Sequence, residues 1–310
     1  MLAAQTDDAF RCSFGGEPAV GSLLVDPSSG WNYSVSVRGA GLPTLRGAGF
    51  RTVRGGRWLS NTDGLVLKAH ETLSGSDGNG EFTGIALEWG ESNTSSWRWV
   101  TSFRCYQAGP LVFEQAWPNG SDDGTLSASL RSRDAPSTAF PSFATTDWND
   151  TQLVTFAGQN AARTTQLGRF AATYTGGYAG GPLALFSADQ EAVKGAVVLS
   201  PLSSFMVTEH GHEDFKLNFG IQGMLSRVPP GFSAEFVLSP HVASGEPSYE
   251  HAGTVAAAFM RWGDALLNAH GGVRTPPDAS RWISELGYST TGVFHSKIVI
   301  LSRFACCPSR

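Results

Sequence analysis

Hydrophobic and polar positions alternate at period two through much of the first 250 residues, most clearly from Ser96 to Asn119, SWRWVTSFRCYQAGPLVFEQAWPN. In the first half Trp97, Trp99, Phe103 and Cys105 fall on one face, while Arg98, Ser102 and Arg104 take the other. After a Gln107-Ala108-Gly109-Pro110 turn, Leu111, Phe113 and Trp117 share a face opposite Glu114 and Ala116. The pattern predicts an antiparallel hairpin. So much aromatic area on one side must press against a second sheet, because large aromatics dominate core energetics. The expected fold is therefore a two-sheet β-sandwich.

The same signature extends in both directions. Strands are predicted at 9–14, 31–38, 57–60, 64–69 and 81–90 before the hairpin. After it they are predicted near 124–130, 138–144, 152–158, 168–175, 182–187, 194–200, 203–208, 214–221 and 232–240, each bounded by Gly, Pro, Asp or Ser. In WNYSVSVR, Trp31, Tyr33, Val35 and Val37 alternate with Asn32, Ser34, Ser36 and Arg38, which reads as an amphipathic edge or outer strand. The run Gly176 to Gly181 precedes a strand, not a helix, and reads as a flexible turn rather than a phosphate cradle. About sixteen strands suit a large double-sheet sandwich better than an immunoglobulin-size one. No fixed-period repeat points to a propeller.

The period changes at Gly253–His270, where Val255, Phe259, Trp262 and Leu266 fall on one helical face. Gly271-Gly272 supplies the stop and Pro276-Pro277 forbids continuation. Gly287 to His295 then reads as one buried strand, followed by a short apolar run. The expected organisation is a sandwich over 1–250, a linker helix over 251–280, and the truncated start of another domain over 281–310.

Composition narrows the partners. Charged residues are 16%, with 37 glycines and nine tryptophans, a balance that suits a turn-rich extracellular or lumenal β-protein handling sugars. The net charge of −5 and the lack of a basic run exclude nucleic acid as an expected partner. No apolar stretch is long enough for a membrane span. The start, MLAAQTDDAF, lacks a secretory leader, yet sequons at Asn32, Asn93, Asn119 and Asn149 mark glycosylation candidates. The expectation is a secreted or lumenal glycoprotein whose leader is missing. Cys12 and Cys105 each sit in a predicted strand and have two readings, a bridge or two buried thiols. The vicinal Cys306 and Cys307 lack zinc-site spacing.

Candidate chemistry is sparse. Glu209-His210-Gly211-His212-Glu213-Asp214 puts two histidines on one strand face, but with no third ligand in pattern no metal is expected. Glu88, Glu114 and Asp147 lie among aromatics and are the candidates for acid/base chemistry; for Glu114 the outer-sheet position is the preferred reading. No nucleophile elbow, zinc-protease helix, phosphate loop or dinucleotide fingerprint occurs, so no catalytic residue and no cofactor is assigned. Trp31, Trp58, Trp117 and Trp148 stand near turns, as sugar-stacking platforms or as plugs at the ends of the core.

Leu286 to His295, LGYSTTGVFH, resembles the first barrel strand of the alkaline α-galactosidase and raffinose-synthase-like glycosidases, which reads Gly-Trp-Cys-Thr-Trp-Asp-Ala-Phe-Tyr. Gly287, Thr290 and Phe294 match in place, and Tyr288, Ser289, Val293 and His295 are similar substitutions. The Phe113-Glu114-Gln115 strand leading to Pro118, and the Val198-Leu199-Ser200-Pro201-Leu202 run leading to Phe205-Met206, are similar to that family's sandwich. The resemblance implies a galactose-mutarotase-like supersandwich, a linker helix, and the first strand of an incomplete (β/α)8 barrel. It also implies that Tyr288 and Thr290 contact sugar. The family's Trp-Asp pair is replaced by Thr291-Gly292. Retaining glycoside hydrolysis needs two carboxylates held about 5–5.5 Å apart, and this chain does not supply them at the family's positions. The expected role is the non-catalytic sandwich of a glycosidase-like protein; the alternative is a free-standing lectin-like or adhesion domain. A mutarotase-like enzyme would need a histidine, His241 or His212, to meet a glutamate on a concave sheet.

Overall fold

The structure is a computed structural model that describes residues 8–92, 96–121, 136–156, 165–170, 176–177, 182–188, 193–203, 206–211, 215–223, 225, 227–242 and 251–272. Contacts divide the chain into two units at Gly271/Gly272, and the described residues up to Gly271 belong to the first. The first strands are β1 (Phe10–Phe14), β2 (Gly21–Asp26), β3 (Asn32–Val37), β4 (Leu45–Gly47), β5 (Arg51–Arg54) and β6 (Arg57–Ser60). They are followed by β7 (Val66–Asp77), β8 (Gly80–Gly90), β9 (Trp99–Tyr106), β10 (Leu111–Trp117), β11 (Thr138–Ala139), β12 (Ser142–Ala144) and β13 (Thr151–Phe156). The rest are β14 (Thr165–Arg169), β15 (Gly176–Gly177), β16 (Leu183–Ala188), β17 (Val193–Pro201), β18 (Met206–Gly211), β19 (Lys216–Ile221) and β20 (Phe232–Val242). A single long helix, α1 (His251–Ala269), closes the described chain.

Among the described residues these strands make an 8-stranded sheet, β1-β2-β3-β4-β12-β19-β18-β15, and a 9-stranded sheet, β14-β13-β16-β17-β20-β10-β9-β8-β7. A 3-stranded ribbon, β11-β5-β6, has its own strand order and meets the 8-stranded sheet where Thr138 of β11 lies against Gly220 and Ile221 of β19. The predicted hairpin is β9–β10, with Phe103 opposite Phe113 and Cys105 opposite Leu111. Its aromatic face is the core: Trp99, Phe103, Leu111, Phe113 and Trp117 are buried in one cluster with Tyr33, Phe143 and Phe219 of the other sheet. Each fully buried side chain of this size contributes about 2–3 kcal/mol. Tyr33 lies at the centre, its ring within 5.1 Å of Phe103 and 5.8 Å of Phe113. Its hydroxyl donates to the Ser142 carbonyl and accepts from the Ser142 N–H, both at 2.7 Å. Burial holds that phenol well above its ordinary pKa.

Two expectations need correction. The WNYSVSVR strand is not at an edge: β3 is paired on both sides, by β2 and β4. The sequence hid β2 because Leu23, Leu24 and Val25 run together, although Leu23 and Val25 are buried and Leu24 is not. Gly176 and Gly177 are not a turn, since they pair with Glu209 and Thr208 at the sheet edge. The barrel-like strand at 287–295 and the predicted strand at 124–130 lie outside the described residues.

The helix lies on the outer side of the 9-stranded sheet. Val255, Ala258, Phe259 and Trp262 pack on Ala184, Ala196 and Val198. Further along, Trp262, Ala265 and Leu266 pack on Tyr106, Val112 and Val237. This is the face the 3.6-residue period predicts. Gly271, at φ +65°, takes the left-handed turn that ends the helix. At Gly78 a side chain would strike the Asn268 carbonyl at 2.1 Å, so glycine there lets the β7–β8 turn meet the end of α1.

Candidate functional site

The carboxylates picked out from the sequence all have partners. Glu88 is ion-paired with Arg98, Glu114 accepts from the Ser102 hydroxyl at 3.2 Å, and Asp147 faces Arg46 at 3.6 Å. Glu114 stands opposite Glu235 in the β10–β20 register, with Glu235 ion-paired to Arg104. Of the histidine cluster, His210 is buried against the Phe170 ring at 4.8 Å with Thr145 at 3.4 Å, and Glu209 accepts from Asn218 at 3.2 Å. His212 lies outside the described residues. No group of three or more metal-ligating side chains occurs among the described residues. His241 is half-buried on β20 beside Arg261 of α1; burial first, then that cation, lower its pKa below the ordinary value.

Of the four platform candidates, Trp117 and Trp148 are core residues, 3% and 1% exposed. Trp31 and Trp58 are half-buried, each with a face occupied, Trp31 by His70 at 4.6 Å and Trp58 by Arg51 at 5.0 Å. Among the sequons, Asn149 is exposed in a turn, Asn119 is exposed and its amide donates to the Ser96 carbonyl at 2.9 Å, and Asn32 is half-buried in β3. Asn93, Tyr288 and Thr290, and Cys306 and Cys307, lie outside the described residues. Cys12 and Cys105 form a disulfide that ties β1 of one sheet to β9 of the other, with Cα atoms 6.2 Å apart.

Two features escaped the sequence. The first is a charge network on the outer face, where Arg104 contacts Asp77 at 3.1 Å and pairs with Glu235. The Tyr106 hydroxyl donates to Asp77 at 2.5 Å. Burial and that hydrogen bond raise the Tyr106 pKa. Burial alone would lower the Arg104 pKa, but Glu235, then Tyr106, Glu114 and Asp77, outweigh it and raise it. The network joins the β7 tip, β9 and β20, and no local pattern brings these strands together.

The second is a cleft of about 830 Å³ at the open side of the sandwich, lined among others by Ser13, Glu17, Ser74, Ser76, Glu81, Thr83 and Gln107. It forms because one strand face changes character. On β8 the positions of Trp89, Leu87 and Ile85 are buried, and the same face continues as exposed Thr83 and Glu81. Ser74 and Ser76 stand opposite these two in the β7–β8 register. The loop after β1 forms the facing wall. Gln107 donates to Glu17, and the Gly16 N–H donates to the Gln107 carbonyl at 2.9 Å. These bonds fix the wall against the β9–β10 turn.

No family model matches this sequence, and no curated protein matches it. Solved structures do. The chain is similar to the α-N-acetylgalactosaminidase NagBb from Bifidobacterium bifidum in its Gal-NHAc-DNJ complex, with TM-score 0.53 and 13% identity over 87% of this chain and 40% of that one. The ligand-free form of that enzyme gives TM-score 0.51 and 11% identity over 84% and 39%. The fold is glycoside hydrolase-like. A family 97 glycoside hydrolase from Pseudoalteromonas sp. in complex with panose was also found, with TM-score 0.46 and 9% identity over 74% and 35%. The chain thus spans about 40% of the length of the glycosidase structures it matches.

Proposed function

We propose that this chain is the non-catalytic β-sandwich part of a glycosidase-like protein of carbohydrate metabolism, of the alkaline α-galactosidase and raffinose-synthase-like group, bracing a (β/α)8 barrel and lending surface to a sugar site. The observation that carries the proposal is the coverage: the fold match takes in 87% of this chain and only 40% of the enzyme it matches. The helix supports it, because a strand-rich layer followed by a helix laid on its outer sheet agrees with the order of elements that the resemblance implies. The paired state of Glu88, Glu114 and Asp147 supports a bracing rather than a catalytic role. Under this reading Tyr288 and Thr290 sit at the first barrel strand and contact sugar. The Cys12–Cys105 disulfide and the four sequons support a secreted or lumenal location.

Sequencing the transcript beyond the His295 codon tests the proposal. An in-frame barrel carrying two acidic residues is the expected result, and a message without one would overturn it. Assays of the chain alone on α-galactosides and α-N-acetylgalactosaminides are expected to show no turnover; hydrolysis would contradict the non-catalytic role.

A further inference from the structure

The chemistry of the cleft at the open side of the sandwich is selective. Among the described residues its walls present hydroxyls at Ser13, Ser74, Ser76 and Thr83, an amide at Gln107 and carboxylates at Glu17 and Glu81, beside the apolar Ala19, Phe82 and Cys105, and no lysine or arginine lines it. A site with two acids and no cation disfavours phosphates, sulfates and other anions through like-charge repulsion. Nor do the acids make a cation cage, since no three metal-ligating side chains cluster among the described residues. What fits is a neutral ligand rich in hydroxyl groups, which donate to carboxylate and amide oxygens and accept from serine, threonine and amide donors.

The volume of about 830 Å³ falls in the range of small-molecule sites and exceeds what one monosaccharide needs. The wall is also preorganised. Gln107 holds Glu17 through its amide nitrogen, which leaves the Gln107 amide oxygen and the second Glu17 oxygen to accept from a ligand. The Cys12–Cys105 bond beside the cleft fixes β1 relative to β9, and so fixes the separation of the two walls. Preorganisation of this kind reduces the ordering cost of binding.

We infer that this cleft is a binding site for neutral oligosaccharides on the sandwich itself, separate from any site a barrel would carry. The inference rests on the carbohydrate reading above and adds to it a place and a ligand class. The test uses the full 310-residue chain in calorimetric titrations with neutral galacto- and gluco-oligosaccharides, alongside a sialylated oligosaccharide. Glu81→Gln and Gln107→Ala serve as variants, with melting curves to show that each folds. Neutral sugars are expected to bind, and each variant to weaken them about tenfold or more, as loss of a charged or paired hydrogen bond does. The sialylated sugar is expected to bind far more weakly than the neutral ones. Binding that both folded variants retain would overturn the cleft assignment while leaving the carbohydrate reading intact. Equal affinity for the sialylated sugar would overturn the ligand class. No binding by any sugar would overturn the inference, and the transcript experiment would then judge the bracing role independently.

Discussion

Removing the cross-sheet disulfide is the most direct perturbation of this fold. Cys12 and Cys105 are 93 residues apart in sequence, and their bond is a covalent link between the 8-stranded and 9-stranded sheets. In the chain-entropy description, cross-linking a loop of that length denies the unfolded chain about 15–16 cal/mol/K, or about 4.6 kcal/mol at 25 °C. That is a large share of the roughly 5–15 kcal/mol by which a domain is stable. At about 2–4 °C per kcal/mol for a domain of this class, the double variant Cys12→Ala/Cys105→Ala should melt about 9–18 °C lower. Cys105 is 2% exposed, so its truncation also trims core packing, though only by a small group. Urea titrations followed by far-UV circular dichroism, on the wild type with and without reductant and on the double variant, separate the two contributions. The reduced wild type keeps the packing and loses only the cross-link. The reasoning fails if reduction leaves the midpoint unchanged, or if thiol labelling of the native protein finds Cys12 and Cys105 free.

Other expectations follow from single residues. At Gly220 an added Cβ would lie 1.9 Å from the Thr138 carbonyl oxygen, so Gly220→Ala should destabilise the sandwich by about 3 kcal/mol or more, read as a fall in the urea midpoint. The depressed pKa of His241 means that the unfolded chain binds more protons than the folded chain once pH falls below about 6.5. Stability should be level above that value and decline below it, and His241→Gln should flatten the decline in melting curves from pH 7.5 to pH 5 (about the range in which histidine titrates). Among the three described sequons, expression through a secretory route should glycosylate exposed Asn149 most fully and half-buried Asn32 least, as measured by enzymatic deglycosylation and peptide mass spectrometry. Trp262 touches both halves of the helix–sheet contact, and Trp262→Ala should cost about 2 kcal/mol, since a fully buried tryptophan costs about 3–5. A midpoint within error of wild type would show that the helix packs otherwise.

What the sequence determined by itself is whatever depends on neighbours along the chain. The alternation of Trp99, Phe103 and Cys105 with Ser102 and Arg104 fixes which face of β9 turns toward the other sheet, because side chains leave a strand at period two. The spacing of Val255, Phe259, Trp262 and Leu266 fixes the buried face of α1, because a helix repeats every 3.6 residues. Gln107 to Pro110 fixes where the hairpin turns. These patterns were enough to indicate a large sandwich with one helix after it.

Only the tertiary structure decided which strands became neighbours. Glu114 pairs with Glu235 across β10 and β20, and Phe143 of β12 sits between Gly47 and Leu217. Pairings at that sequence distance are set by the shape of the whole core rather than by any local period. The same cause explains what was missed. Val112 is apolar on the outward face of a strand, and nothing in its surroundings along the chain reveals that α1 covers it. Thr83 and Glu81 continue the face that buries Ile85 and Leu87, and the polar change becomes a cleft only because the loop after β1, distant in sequence, forms the facing wall. A strand's own pattern states which side is greasy and which is wet; what comes to lie against each side depends on how the rest of the chain folds around it.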